Sequence, residues 1–164
     1  MTTSPPETAR LLAYQVGVFA LVHQRNQYLL VRPRRPILPG GNYGLPGLVL
    51  DAEAGSGVVE MGRRRALLAQ VGISVSGLRL VGSHAARGTE HGQADARLYL
   101  IFGTEYCSGI LNPQPAELYS AEWMAASSFD NRTPEWLHAA VREYQTTAAP
   151  TPPPSVSSVF GRKR

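Results

Sequence analysis

The chain has 164 residues, 43% of them hydrophobic, a formal net charge of +4 and a single cysteine. That length suits one compact domain with tails, and that apolar content excludes global disorder. One cysteine, Cys107, excludes an intrachain disulfide, and a small basic excess sitting partly in the terminal Gly161–Arg164 does not point to a nucleic-acid partner.

Residues 1–12, with Pro5 and Pro6, read as a flexible lead-in with no apolar signal core. No run is long enough to span a membrane, so a cytoplasmic protein is expected. A domain is expected over 13–146. Tyr14–Gln24 is rich in β-branched and aromatic residues and reads as a strand, and Tyr28–Arg34 reads as its hairpin partner. Arg35–Gly47 is dense in proline and glycine and reads as a loop. Leu48–Leu50 reads as a short strand. Val58–Gly72 is the strongest helix, stopped by Gly72. Ile73–Ala85 returns to strand character, Arg87–Asp95 reads as a polar loop, and Ala96–Cys107 as a strong strand that buries an inert Cys107 thiol. Gly109–Leu118 reads as a loop, and Tyr119–Ser127 contains another short strand. Thr133–Gln145 is a second helix, with Thr133 as N-cap and Pro134 in the first turn. Residues 147–164 are rich in Pro and Ser and basic at the end, and a disordered tail is expected. Helices and strands do not alternate regularly, so a mixed sheet with helices on its faces fits better than a doubly wound parallel one.

At about 100° per residue, Val59, Gly62, Ala66, Ala69, Gln70 and Ile73 share one side of the first helix. That side carries no carboxylate. Met61, Leu67, Leu68 and Val71 are expected to be the core contacts opposite, and Arg63 and Arg64 a solvated face. Glu60 is the only acid on the helix, and it points roughly 120° away from Ala66. Trp123 and Trp136 are expected to pack rather than to stack on a ligand. His84 and His91 do not have the spacing of a metal pair. The glycines around Tyr43 lack the lysine and hydroxyl residue of a Walker-type phosphate loop.

Four features occur together in order: a strand pair leading to "GLPG" (Gly44–Gly47), a helix ending with Arg65, Leu67, Gly72 and Ile73, the strand-like "AELYSAEWM" (Ala116–Met124), and a C-terminal helix. In this the chain resembles the Nudix hydrolase superfamily over about residues 14–145. The resemblance implies an α/β fold, a Nudix-like α/β/α sandwich around a mixed β-sheet. The family signature is G-x5-E-x7-R-E-U-x-E-E-x-G-U, with U apolar. Its glutamates gather Mg²⁺ or Mn²⁺, which neutralises a substrate diphosphate and helps activate water. Anchored on Arg65 and Gly72, its glutamate positions fall on Gly57, Ala66, Ala69 and Gln70, so no metal is expected by the standard motif.

The resemblance therefore implies a degenerate box: a nucleotide or nucleotide-derivative binding or interaction domain without catalysis and without a cofactor. The alternative is a hydrolase of a nucleoside diphosphate linked to another group, with Mg²⁺ or Mn²⁺ held by non-standard acids. Glu117 is the acid that matches a family position, and Asp51, Glu53 and Glu90 are loop acids that could join it. Ligand contacts are expected from Arg32 and Arg34, with Arg35 beside them, and from Tyr43, Gly47 and Arg65. A homodimer is compatible with the apolar strands.

Overall fold

A computed structural model of the chain describes residues 14–39, 43–50, 55–90 and 93–148. The expected lead-in and the expected tail beyond Ala148 lie outside the described residues, as do Asp51, Glu53 and His91.

The strand β1 (Tyr14–Gln24) turns through Arg25 and Asn26 into β2 (Gln27–Pro33). Both turn residues have positive φ, 48° and 60°, which is the twist a two-residue hairpin demands. Pairing between β1 and β2 is confined to the turn end, His23 with Tyr28 and Gln24 with Gln27. Beyond that the strands splay, and residues 44–50 fill the gap. Gly44 exchanges backbone hydrogen bonds with Val31 at 2.9 and 2.7 Å, and Ala20 N–H donates to the Pro46 carbonyl at 2.9 Å. The short β3 (Gly47–Val49) then pairs with Gly17–Phe19 of β1.

After the helix α1 (Val58–Val71) come β4 (Ile73–Val75), β5 (Arg79–Glu90) and β6 (Gln93–Gly109). The long β6 lies parallel to β1 along one edge and antiparallel to β4 and β5 along the other. The polar stretch expected as a loop over Arg87–Asp95 is instead mostly ladder, with Arg87 opposite Ala96 and Glu90 opposite Gln93. Continuous cross-strand backbone bonds outweigh the weak strand preference of its side chains. Finally β7 (Leu118–Ala125) pairs with β2, and α2 (Glu135–Ala148) closes the domain. The helix runs into the stretch expected as tail. The Pro134 carbonyl accepts from Leu137 N–H at 3.0 Å. The expected N-cap Thr133 instead accepts from Asp130 N–H at 3.2 Å, so the cap lies one residue later than its sequence suggests.

The sheet is buried on both faces, and strand alternation sorts its residues. Phe19, Leu21, Tyr28, Leu30, Tyr99 and Ile101 meet Leu137, Val141 and Tyr144 of α2. Ala20, Val22, Leu29 and Val31 meet Leu67 and Val71 of α1. This is a mixed α/β sandwich with a helix on each face. No helix among the described residues is long and apolar enough to cross a membrane.

Helix α1 is rotated from the expectation. Met61 and Leu68 are exposed, while Leu67 and Val71 are buried together with Ala66 and Arg63. Gly62 faces the Leu48 side chain, where an added Cβ would lie at ordinary contact distance, 3.8 Å. The expected solvated face thus supplies a buried guanidinium. Arg63 has no exposed surface, and its three nitrogens find no hydrogen-bond partner among the described residues. It sits 5.4 Å from the centroid of the Phe102 ring. Burial, reinforced by Arg64 and opposed by Glu60, pushes its pKa down from the ordinary guanidinium range to about 10. Cys107, expected to be buried, is exposed; it sits at a register shift, with Ser108 opposite Ser74 and Tyr106 opposite Val75, so it has no partner on β4.

Candidate functional site

Splaying two neighbouring strands opens the sheet where β2 ends and the wedge begins. A cleft of about 680 Å³ lies there. Arg32, Arg34 and Arg35 line it, as do Tyr43, Gly47 and Gln70 from the wedge and helix α1, and Glu117 and Tyr119 from the start of β7. The resemblance had put Arg32, Arg34, Tyr43 and Gly47 at a ligand, and the fold brings these four to one cleft. Arg65 is exposed on α1 and does not line it.

The arginines are held differently. Arg34 donates through Nε to the Pro115 carbonyl, and its backbone N–H donates to the Glu117 carbonyl at 2.9 Å. Its guanidinium lies 4.3 Å over the centroid of the Tyr119 ring. Arg32 and Glu122 both stand near the Tyr43 hydroxyl. Glu122 as acceptor and as a like charge pushes the Tyr43 phenol up, and Arg32 works against it.

Gln70 stands where the family signature would put a metal-binding glutamate. Its amide makes a reciprocal clamp on one residue: Oε1 accepts from Gly47 N–H at 3.1 Å, and Nε2 donates to the Gly47 carbonyl at 2.7 Å. Only an amide can do both, since a carboxylate has no donor. Gly47 is also the one residue type that fits there, because a Cβ would stand 2.2 Å from the Val18 carbonyl oxygen. The clamp therefore fixes the wedge that opens the cleft.

A hard divalent cation needs several oxygen ligands, and the residues at the box positions do not fit one. Gly57, Ala66 and Ala69 carry no side-chain donor atom, and both polar side-chain atoms of Gln70 are engaged by Gly47. Glu117 lines the cleft and is exposed. No group of three His, Cys, Asp or Glu residues able to hold a metal occurs among the described residues. Glu90 ends β5, and its side chain, like Asp51 and Glu53, lies outside them. His84 is stacked on Tyr99, with ring centroids 6.3 Å apart.

Tyr119 is the cleft residue that sequence reasoning did not single out. It is a bulged residue: Arg32 pairs with Ser120 and Pro33 with Leu118, so Tyr119 has no partner opposite it on β2. Bulges re-aim side chains and depend on the partner strand's register. No feature of the sequence near Tyr119 announces it.

No family model matches the chain, and no curated protein matches it in sequence. Solved structures do match it. A MutT Nudix hydrolase from Burkholderia pseudomallei is 18% identical with a TM-score of 0.61, over 80% of this chain and 98% of that one. A UDP-X diphosphatase is 15% identical with a TM-score of 0.63, over 87% and 68%. The Nudix domain of Shewanella oneidensis NrtR, in complex with ADP-ribose, is 15% identical with a TM-score of 0.60, over 84% and 89%. At these identities the likeness is one of fold, and together with the splayed strand pair and the sheet between two helices it shows that this chain has the fold of the Nudix hydrolases.

Proposed function

We propose that this protein binds a nucleoside diphosphate derivative in the cleft and does not hydrolyse it by the metal-helix route. The observation that carries the reading is the double use of one place. Arg32, Arg34 and Arg35 gather beside exposed tyrosines in the cleft, which suits a diphosphate attached to a planar base. Meanwhile the one polar box side chain in that cleft, Gln70, is spent on holding Gly47. Fold relatives whose names include a UDP-X diphosphatase and an ADP-ribose complex support the ligand class.

The second reading is a hydrolase in which Glu117 helps hold Mg²⁺ or Mn²⁺ with acids from outside α1. It is favoured by the place of Glu117 on the cleft wall. A panel of ADP-ribose, UDP-sugars and dinucleoside polyphosphates separates the two. Binding is read by thermal shift and calorimetry, and turnover by chromatographic detection of the nucleotide product formed with Mn²⁺. The binding reading expects stabilisation by at least one compound and no turnover. Turnover that disappears in Glu117→Gln would establish the hydrolase instead.

A further inference from the structure

We propose that Tyr119 is the base-stacking platform of the cleft, taking the planar base of a nucleoside diphosphate on the ring face away from Arg34. The inference rests on the reading of the cleft as a nucleotide site and adds which residue reads the base.

Three independent features build the platform. The first is the bulge. Leu118 is buried in the α1-side core and Ala121 packs against the same cluster, although residues three apart in a regular strand face opposite ways. The extra residue between Arg32 and Pro33 pairing absorbs that offset and leaves Tyr119 free of the ladder's alternation. The second is exposure. Tyr119 keeps 63% of its surface open while lining the cleft. An aromatic ring left bare there costs hydration that a stacked base would recover.

The third feature is the brace. The Arg34 guanidinium covers one face of the ring at 4.3 Å, and Arg34 is itself anchored to the Pro115 carbonyl by its side chain and to the Glu117 carbonyl by its backbone. The ring is thus held before a ligand arrives, which lowers the ordering cost of stacking. A cation on one face draws electron density from the ring and favours an electron-rich partner, such as a purine, on the other. Tyr43, the aromatic that the loop sequence suggests, is a poorer platform. Its ring is less open to a ligand, 37% exposed against 63% for Tyr119.

The test is calorimetric titration of the full chain with ADP and, as a base-free probe, inorganic pyrophosphate. Wild type, Tyr119→Ala, Tyr119→Leu, Tyr119→Phe and Tyr43→Ala are compared, each with a melting curve. Leucine keeps apolar bulk on the bulge without a ring face. The expected result is tighter binding of ADP than of pyrophosphate by wild type. Alanine and leucine at 119 then cost about ten-fold for ADP, with pyrophosphate affinity unchanged, while Tyr119→Phe retains ADP affinity. Equal losses for both ligands, no loss for either, or transfer of the ADP preference to Tyr43 would overturn the assignment. Wild type binding ADP and pyrophosphate equally would overturn it while leaving the diphosphate site intact. Wild type binding neither would overturn this inference, and would remove the nucleotide reading too if no compound of the ADP-ribose, UDP-sugar and dinucleoside polyphosphate panel stabilises the protein.

Discussion

Replacing Arg63 by methionine should make the protein more stable. The wild-type guanidinium is fully buried, and its three nitrogens lack partners among the described residues. Its fall from the ordinary guanidinium range to about 10 corresponds to roughly 3 kcal/mol against the charged form in the folded state. For a base whose folded value is depressed, that cost is fully present below about pH 10 and is relieved as pH rises through the folded value. The face of Phe102 at 5.4 Å returns about 1 kcal/mol. Methionine keeps an unbranched apolar stem in the same space and removes the charge, so the expected gain is about 2 kcal/mol. In urea that is an upward midpoint shift of about 1 M at an unchanged slope. The assay is equilibrium unfolding followed by circular dichroism and tryptophan fluorescence at pH 7, with Arg63→Lys as a control that keeps the charge and should not stabilise. A lower midpoint for Arg63→Met would refute the reasoning, because it would mean that the guanidinium has a favourable partner in the folded protein.

Gln70→Glu should lower the melting temperature rather than restore a metal site, since it loses the donor to Gly47 and sets a carboxylate against a carbonyl; the expected cost is about 1–3 kcal/mol. Appearance of Mn²⁺-dependent turnover in that variant would contradict the clamp as the role of residue 70. Gly47→Ala should destabilise by about 2 kcal/mol or more, because the new methyl would meet backbone at 2.2 Å; a melting curve identical to wild type would show that β3 can move. In an ultraviolet titration, Glu122→Gln should bring the raised Tyr43 phenol down towards its ordinary value, removing the repulsion that Glu122 exerts on the phenolate. An unchanged titration, with Tyr43→Phe identifying the transition, would break the assigned pair.

The β-branched and aromatic runs of β1 and β2, the Arg25–Asn26 turn and the stop at Gly72 are local signals, and each was legible in the residues themselves. Periodicity and turn chemistry act over a few residues, so the local sequence determined two helices and a mixed sheet, and the ordered motifs from Gly44–Gly47 to Ala116–Met124 carried the resemblance to the Nudix hydrolases. Set against the signature that the chain resembles, Gly57, Ala66, Ala69 and Gln70 carry no carboxylate, and that too is legible in the residues themselves. Other features depend on partners distant in the chain. Helical spacing says which residues share a face but not which face meets the sheet, so Arg63 was read as solvated and Met61 and Leu68 as core. Gln70 finds its use 23 residues away at Gly47, where no local pattern could place it. Tyr119 reaches the cleft only because β7 pairs with β2 in a register that leaves it unpaired. Local chemistry determined the elements; packing between distant strands and helices decided which side chains the cleft would own.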